Sequence, residues 1–294
     1  MTNASVVEYS VVWFQAGTCT GCSVSVLNSV SPNAKNLLVD EIVPGKHISL
    51  KFQATLMAGQ GDAVINVLEQ IPKVKPGKYL FVVEGAIPFK DDGIYGYFGE
   101  RDGEAVPILE RVDALAREAL AIIGLGTCAA FGGIAAGKPN PGGYISMGDF
   151  LSSRNITKPL INIPGCPPHP DWFVGTVASV IIFGLPSQDQ LDEHNRPKIY
   201  FGKLIHENCP RRAYFDEGKF ARKFGDMGCL HELGCKGPVT HSDCPLRLWN
   251  GGINWCIGAG HPCIGCCEPG FPDVMSPLYE KMTEESVPTI GNIK

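Results

Sequence analysis

VVWFQAGTCTGC (Val11–Cys22) decides how this chain is read. It opens on an uncharged run, Val11–Gln15, of β-branched and aromatic residues, the pattern of a strand buried on both faces. It ends on two glycines framing a CxxC pair, Cys19 and Cys22. A buried strand that runs straight into a glycine-rich loop carrying reactive side chains marks the edge where α/β sheets bind ligands. Cys22–Val30 then continues as a helix. Outward from this segment the pattern repeats. Tyr79–Glu84, Ala121–Leu125 and Leu160–Ile163 read as further buried strands, and Val112–Leu120 has helical periodicity with its charges on one face. Apolar strands alternating with helices give an α/β fold with a parallel sheet covered on both faces. Cys128 follows the strand Ala121–Leu125, and Cys166 follows Leu160–Ile163. Three strands therefore deliver four thiols to one sheet edge, which packing alone does not explain.

Near Pro186 the character of the chain changes. From Ser187 to Lys294 there is little strand pattern and much Gly, Pro, Asn and charge, yet eight of the 12 cysteines lie there. A segment without a periodic apolar core draws its order from elsewhere, and metal–ligand bonds formed only in the folded state contribute directly to folding free energy. The division expected is an α/β domain over 1–186 and an irregular, cluster-binding domain over 187–294.

The cysteines stand at 19, 22, 128, 166, 209, 229, 235, 244, 256, 263, 266 and 267. A disulfide framework suits short secreted chains without a core, whereas this chain has 294 residues, 44% of them hydrophobic. Inert buried thiols do not cluster at CxxC spacing. Metal ligation is the reading that remains, by iron–sulfur clusters or by zinc. A net charge of −5 speaks against nucleic acid as a partner, because phosphate binding needs clustered Lys and Arg. The longest apolar stretch, Val174–Leu185, is too short to span a bilayer. The sequence as it begins carries no leader pattern, so a cytoplasmic location is expected, with a periplasmic one if a leader has been removed.

The thiols sort into groups. Cys19, Cys22, Cys128 and Cys166 suit a cubane cluster. His206-x2-Cys209 with Cys229-x5-Cys235 forms a second set, in which a histidine would change the cluster's charge and potential. Cys244, Cys256, Cys263, Cys266 and Cys267 form the third. Cys263-x2-Cys266 is its CxxC pair, which leaves Cys267 as the expected spare, a small buried hydrophobe. Three clusters and no evident substrate pocket describe a wire for electrons. The remaining histidines (47, 169, 194, 231, 241 and 261) read as structural hydrogen-bonders, with His169 and His261 at best touching a ligand rather than being one.

These motifs resemble, in order, those of the small subunit of nickel–iron hydrogenases. The resemblance is carried by CTGCSVSVLNSVSP (Cys19–Pro32), VVEGAIP (Val82–Pro88), GTCAAFGGI (Gly126–Ile134), NIPGCPPHPDW (Asn162–Trp172), IHENCPR, GCLHELGCKGP, WNGGINWC and HPCIGC. It implies a flavodoxin-like N-terminal domain and a proximal 4Fe–4S cluster on Cys19, Cys22, Cys128 and Cys166. It implies a distal 4Fe–4S cluster on His206, Cys209, Cys229 and Cys235, where an electron carrier protein docks, and a medial cluster on Cys244, Cys263 and Cys266. A separate large subunit would hold the nickel–iron site, so that this chain relays electrons during reversible H2 oxidation and supplies no catalytic residue. Glu84, in the VVEG motif, falls by resemblance where the two subunits meet, as part of a proton path or as a structural carboxylate. Two places depart from the common pattern. Cys256 stands where a proline is usual, so a medial 4Fe–4S cluster is expected in place of 3Fe–4S, as in the nickel–iron–selenium branch. Gly21 and Gly133 stand where oxygen-tolerant relatives carry extra cysteines, so an ordinary proximal cubane is expected. The cluster-bearing subunit of the complex I family shares the CxxC loop and a GCPP-like motif, but has no place for the segment His206–Cys267. A free-standing ferredoxin-like carrier would have no need of so large an apolar α/β half.

Overall fold

A computed structural model describes residues 7–282 apart from 34, 37–39 and 41–43. Its strands, in chain order, are β1 (Val7–Gln15), β2 (Lys46–Gln53), β3 (Tyr79–Glu84), β4 (Ile87–Pro88), β5 (Tyr97–Arg101), β6 (Glu104–Pro107), β7 (Ala121–Leu125), β8 (Tyr144–Ile145) and β9 (Leu160–Ile163). Five of them form one sheet in the order β2-β1-β3-β7-β9, and every neighbouring pair is parallel. Counted among themselves, the five run 2-1-3-4-5, the doubly wound order of flavodoxin-like sheets. The strand order reverses at β1, so the crevice of such a sheet lies beyond the C-terminal ends of β1 and β3. Register fixes this edge closely: Gln15 pairs with Glu84, Glu84 with Leu125 and Leu125 with Ile163. The row Gln15–Glu84–Leu125–Ile163 is thus the last rung of the sheet, and Cys19, Cys128 and Cys166 all follow it within one short loop.

The sheet is apolar on both faces because helices cover both. Val12, Phe14, Phe52, Phe81 and Val83 pack with Leu68 and Ile71 of the helix Asp62–Val74 and with Val112, Leu115 and Ala116 of the helix Ile108–Glu118. Trp13 faces the other way and stacks on Phe173 of the helix Pro170–Phe183, ring centroids 5.0 Å apart.

The described residues divide into two compact units between Gln188 and Asp189. Among the described residues of the second unit no helical piece exceeds five residues. Its apolar cluster is small and includes thiols: Ile205, Ala221, Leu230, Trp255 and Ile257 pack with Cys235 and Cys263. Side chain–backbone ties do much of the rest. Arg196, 2% exposed, pairs with Asp192 at 2.7 Å and Glu268 at 3.1 Å, and donates to the carbonyl of Cys267 at 3.0 Å.

Where sequence and structure differ, local chemistry explains it. The helix expected over Cys22–Val30 spans Gly21–Leu27, because the Asn28 and Ser29 N–H groups turn back to the carbonyls of Ser25 and Val26. β1 begins four residues before Val11, paired along β2. β2 itself and the helix Asp62–Val74 were not foreseen. β2 mixes charged residues into an edge strand, and the helix holds Pro72 although Ile65, Leu68 and Ile71 mark its buried face. Among the described residues no helix is long and apolar enough to cross a membrane.

Candidate metal centres

β1 leads directly into the first centre. Its loop carries Thr20 at φ 67, a left-handed conformation that a β-branched residue adopts only when its surroundings impose it. The Thr20 N–H donates to Thr18 Oγ1 at 3.0 Å, which turns the chain between Cys19 and Cys22. Behind the loop lies Glu84, the last residue of β3 and fully buried. Its carboxylate accepts from Trp13 Nε1 (3.0 Å), Thr18 Oγ1 (3.1 Å), the Ser23 N–H (3.3 Å) and Ser23 Oγ. Strand, loop and helix are thereby tied to one carboxylate, which is the pattern of a structural group.

Burial pushes the Cys22 thiol far up, and the charges of Glu84, Cys128, Cys19 and Cys166 add to the effect. Burial raises Cys128 as well, opposed by backbone N–H donors at Ala135 and Ile134. Gly126 has φ +87, and a Cβ there would come within 2.4 Å of Cys22 Sγ; at Gly133, φ +52, a Cβ would meet Cys128 Sγ at 2.9 Å. Both positions accept glycine because the sulfurs lie against their backbone.

In the second unit a small cavity, about 10 Å³, is lined by His206, Cys209, Cys229 and Cys235 together with His231, Arg211 and Ile257. Phe215 holds both histidine rings edge-on, His206 at 4.6 Å and His231 at 5.7 Å. Burial lowers the pKa of His206, with Arg212 assisting, which favours the neutral imidazole that a metal requires. His231 is where the sequence reading falls short. It was expected to be a structural hydrogen-bonder, but its buried Nδ1 has no hydrogen-bond partner among the described residues, and its ring lines the cavity. Only its position two residues after Cys229 could have signalled this.

In the third group burial raises Cys244, Cys256 and Cys263, and the charge of Cys266 adds to each shift. Cys244 accepts from Ser242 Oγ at 2.9 Å, and burial carries its thiol to about 12. Cys267 is buried, with its Sγ 3.9 Å from Cys266 Sγ. Ligands on a cubane diverge from its corners, so two sulfurs this close do not suit two of its irons. One backbone contact joins the second and third groups: the Lys236 N–H donates to the Cys263 carbonyl at 2.8 Å. Lys236 Nζ is satisfied by the carbonyls of Pro277 and Glu280.

The thiols fit iron–sulfur ligation by a shared local feature. The N–H two residues on donates to sulfur at Cys209 (from Arg211), Cys229 (from His231), Cys235 (from Gly237) and Cys263 (from Gly265). Amide donors aimed at sulfur stabilise the thiolate and tune cluster potential. Burial works the other way, raising each of these thiols, Cys235 to about 11. Buried thiolates of this kind persist only beside a strongly cationic guest. Among the described residues no three His, Cys, Asp or Glu side chains close on a single ion.

Among the other histidines, His169 caps the helix Pro170–Phe183 by accepting the Asp171 N–H at 3.1 Å. His241 Nδ1 lies 3.2 Å from Glu268, and His261 contacts the Pro262 carbonyl and Tyr279.

Comparison with known proteins accords with this geometry. The profile of a family described as NADH ubiquinone oxidoreductase, 20 Kd subunit matches residues 19–180. The profile for the C-terminal part of the NiFe/NiFeSe hydrogenase small subunit matches residues 201–279, the ligand-rich segment that the first family does not explain. The periplasmic [NiFeSe] hydrogenase small subunit of Desulfomicrobium baculatum is 44% identical over 278 residues, covering 92% of this chain and 86% of that protein. The periplasmic [NiFe] hydrogenase small subunit of Solidesulfovibrio fructosivorans is 42% identical, covering 92% and 82%. A chain in the structure of the reduced, active Ni-Fe-Se hydrogenase of Desulfomicrobium baculatum superposes with a TM-score of 0.87 at 43% identity, covering 94% of this chain and 100% of that one.

These relatives correct one expectation. A cytoplasmic location was inferred from the start of the sequence, yet both relatives are named periplasmic. The point at which a sequence begins carries no address, because leaders are removed in maturation. The chain belongs to the small-subunit family of nickel–iron and nickel–iron–selenium hydrogenases, and its N-terminal half to the family described as the 20 Kd subunit of NADH ubiquinone oxidoreductase.

Proposed function

We propose that this chain is the electron-relay subunit of a hydrogenase heterodimer whose large subunit holds the nickel–iron site. The observation that carries the reading is the recurrence of thiols with a backbone N–H aimed at the sulfur, at Cys209, Cys229, Cys235 and Cys263. Iron–sulfur clusters, the family's cofactors, supply one-electron transfer when bound. Everything else in the reading is the work of the chain. Cys19, Cys22, Cys128 and Cys166 hold a proximal 4Fe–4S cluster, His206, Cys209, Cys229 and Cys235 a distal 4Fe–4S cluster, and Cys244, Cys256, Cys263 and Cys266 a medial 4Fe–4S cluster. Residues 1–186 act as the flavodoxin-like domain, and 187–294 as the domain of the other two centres. Glu84 and Phe215 orient ligand loops, and Cys19, Cys166 and Cys256 stand exposed in the isolated chain. An electron carrier protein exchanges electrons at the distal centre. The periplasm named for the relatives is taken as the site of action. Gly21 and Gly133 leave the proximal centre an ordinary cubane, without the oxygen tolerance that extra thiols confer.

Metal and sulfide analysis of the anaerobically purified complex tests this, with electron paramagnetic resonance on oxidised and reduced forms. The expected result is about 12 irons per chain, four to each cubane, nickel in the co-purifying large partner and no 3Fe–4S signal. About 11 irons with an oxidised 3Fe–4S signal would remove Cys256 as a ligand. Zinc without iron or nickel would overturn the function.

A further inference from the structure

Between Cys209 and Cys229 the chain leaves the cavity wall, makes an excursion into solvent and returns. The excursion is built rather than loose. Phe220 bridges to Cys229, the Ala221 N–H donates to the Cys229 carbonyl at 2.9 Å, and the Cys229 N–H donates to the Lys219 carbonyl at 2.9 Å. At its tip Asp226 accepts the N–H groups of Arg222 and Lys223, at 3.2 and 3.1 Å. This turn presents Phe224 at 57% and Met227 at 80% exposure. Aromatic residues and methionine are enriched at interface cores, and exposing both on one short turn costs solubility without a partner.

The charge around the turn is unlike the rest of the chain. Residues 211–227 hold Arg211, Arg212, Lys219, Arg222 and Lys223 against Asp216, Glu217 and Asp226, in a chain of net charge −5. Arg212 and Lys219 are paired, with Asp216 and Glu217. Arg222 reaches a carboxylate, Glu232, only at 3.9 Å, and Lys223 forms no ion pair among the described residues. The tip therefore offers two apolar side chains beside two cations, Arg222 and Lys223, whose charge the nearby Asp226 and Glu232 offset only in part. It is joined through Phe220 and Phe215 to the ring of His206, the two phenyl centroids 5.8 Å apart.

We propose that this turn is the docking surface for a small acidic electron-carrier protein, one whose redox centre lies beneath a carboxylate-rich face. The proposal rests on the reading of the His206 centre as the point of electron exit. Opposite charge steers such a partner and sets its orientation, while Phe224 and Met227 supply a small apolar contact of the size that transient redox pairs use. A lysine-rich haem carrier is disfavoured at the same surface by like charge.

The test uses the intact heterodimer and H2-driven reduction of three acceptors: an acidic ferredoxin, a lysine-rich c-type cytochrome and a small uncharged dye. At low ionic strength the double variant Arg222→Glu/Lys223→Glu is expected to lower kcat/KM for the ferredoxin about tenfold, mostly through KM. The dye rate should be unchanged, and the wild-type salt dependence lost. Phe224→Ser should lower the same kcat/KM while leaving its salt dependence in place. A wild-type preference for the lysine-rich cytochrome, or an unchanged ferredoxin kcat/KM in both variants, overturns the proposal. Loss of the large subunit on purification of either variant also overturns it, since the turn would then lie in the heterodimer interface. Retention on anionic vesicles with an unchanged ferredoxin rate does the same. A wild-type heterodimer that reduces none of the three acceptors sinks the hydrogenase reading itself, and is told apart from the other outcomes by the dye.

Discussion

Glu84 accepts four hydrogen bonds at full burial, from donors spread over the strand, loop and helix that frame the first centre. Deleting the carboxylate strands the Trp13 indole N–H and the Ser23 N–H in an apolar interior. Glu84→Ala is expected to destabilise the protein by about 3 kcal/mol, read as a lower anaerobic urea midpoint, and to lower iron at the first centre. Glu84→Gln keeps the shape and should lose less than half as much. Cys256 and Cys267 separate a ligand from a bystander. Cys256→Ala should cost about one iron per chain and bring up a 3Fe–4S resonance. Cys267→Ala should leave iron and spectrum unchanged and cost about 1 kcal/mol of packing. Equal iron loss in both variants would show that the two thiols had been assigned the wrong way round. At this scale the cysteine groups could be proposed from CxxC and HxxC spacing, which is rarely met by chance. The role of Glu84 as a hub was not, because its donors come from residues up to 71 positions away. Nor was His231 legible, whose neighbours are set by two phenylalanines.

The pairing of β1 with β2 is supported at its outer end by Glu8 and Lys51. The Lys51 ammonium, with Ser49, holds the Glu8 carboxyl down from its ordinary 4.5 to about 2. A carboxyl depressed on folding stabilises above its unfolded value, and that contribution fades as pH falls from about 4.5 toward 2. Both side chains are substantially exposed, so solvent screening keeps the pair below about 1 kcal/mol. Glu8→Gln should thus lower stability slightly at pH 7, and the gap from wild type should close by about pH 2. A gap that is constant across this range would mean that Lys51 does not act on the ionised form. The elements that sequence predicted to the residue, β3, β7 and β9, are those buried on both faces, where an unbroken apolar run leaves one reading. β2 escaped because an edge strand keeps Lys46, His47 and Lys51 in its pattern, and the helix Asp62–Val74 escaped because Pro72 masks its last turn.

The two units of the molecule draw stability from different sources. The first has a sheet and a continuous apolar core from Val12 to Ile156. The second has a small apolar cluster in which Cys235 and Cys263 are themselves members. Anaerobic removal of metal should therefore open the second unit and largely spare the first. Hydrogen exchange would show this as lost protection across residues 204–266 with β1, β3 and β7 still protected; uniform loss would place the metal's contribution in both units alike. The general outline, α/β half and ligand-rich half, was legible from composition and periodicity. The internal order of the ligand-rich half was not, because ion pairs such as Arg196 with Glu268 join residues far apart in sequence and leave no periodic trace. Within that half the Lys236 N–H, bound to the Cys263 carbonyl, straps a loop of one centre to a loop of the other. With cubanes in both centres, as proposed, filling one would fix one end of the strap and help to order its neighbour. Stepwise iron titration of the metal-free chain is then expected to fill the two centres together, in steps of about eight irons; two separate steps of about four would show that the strap does not couple them.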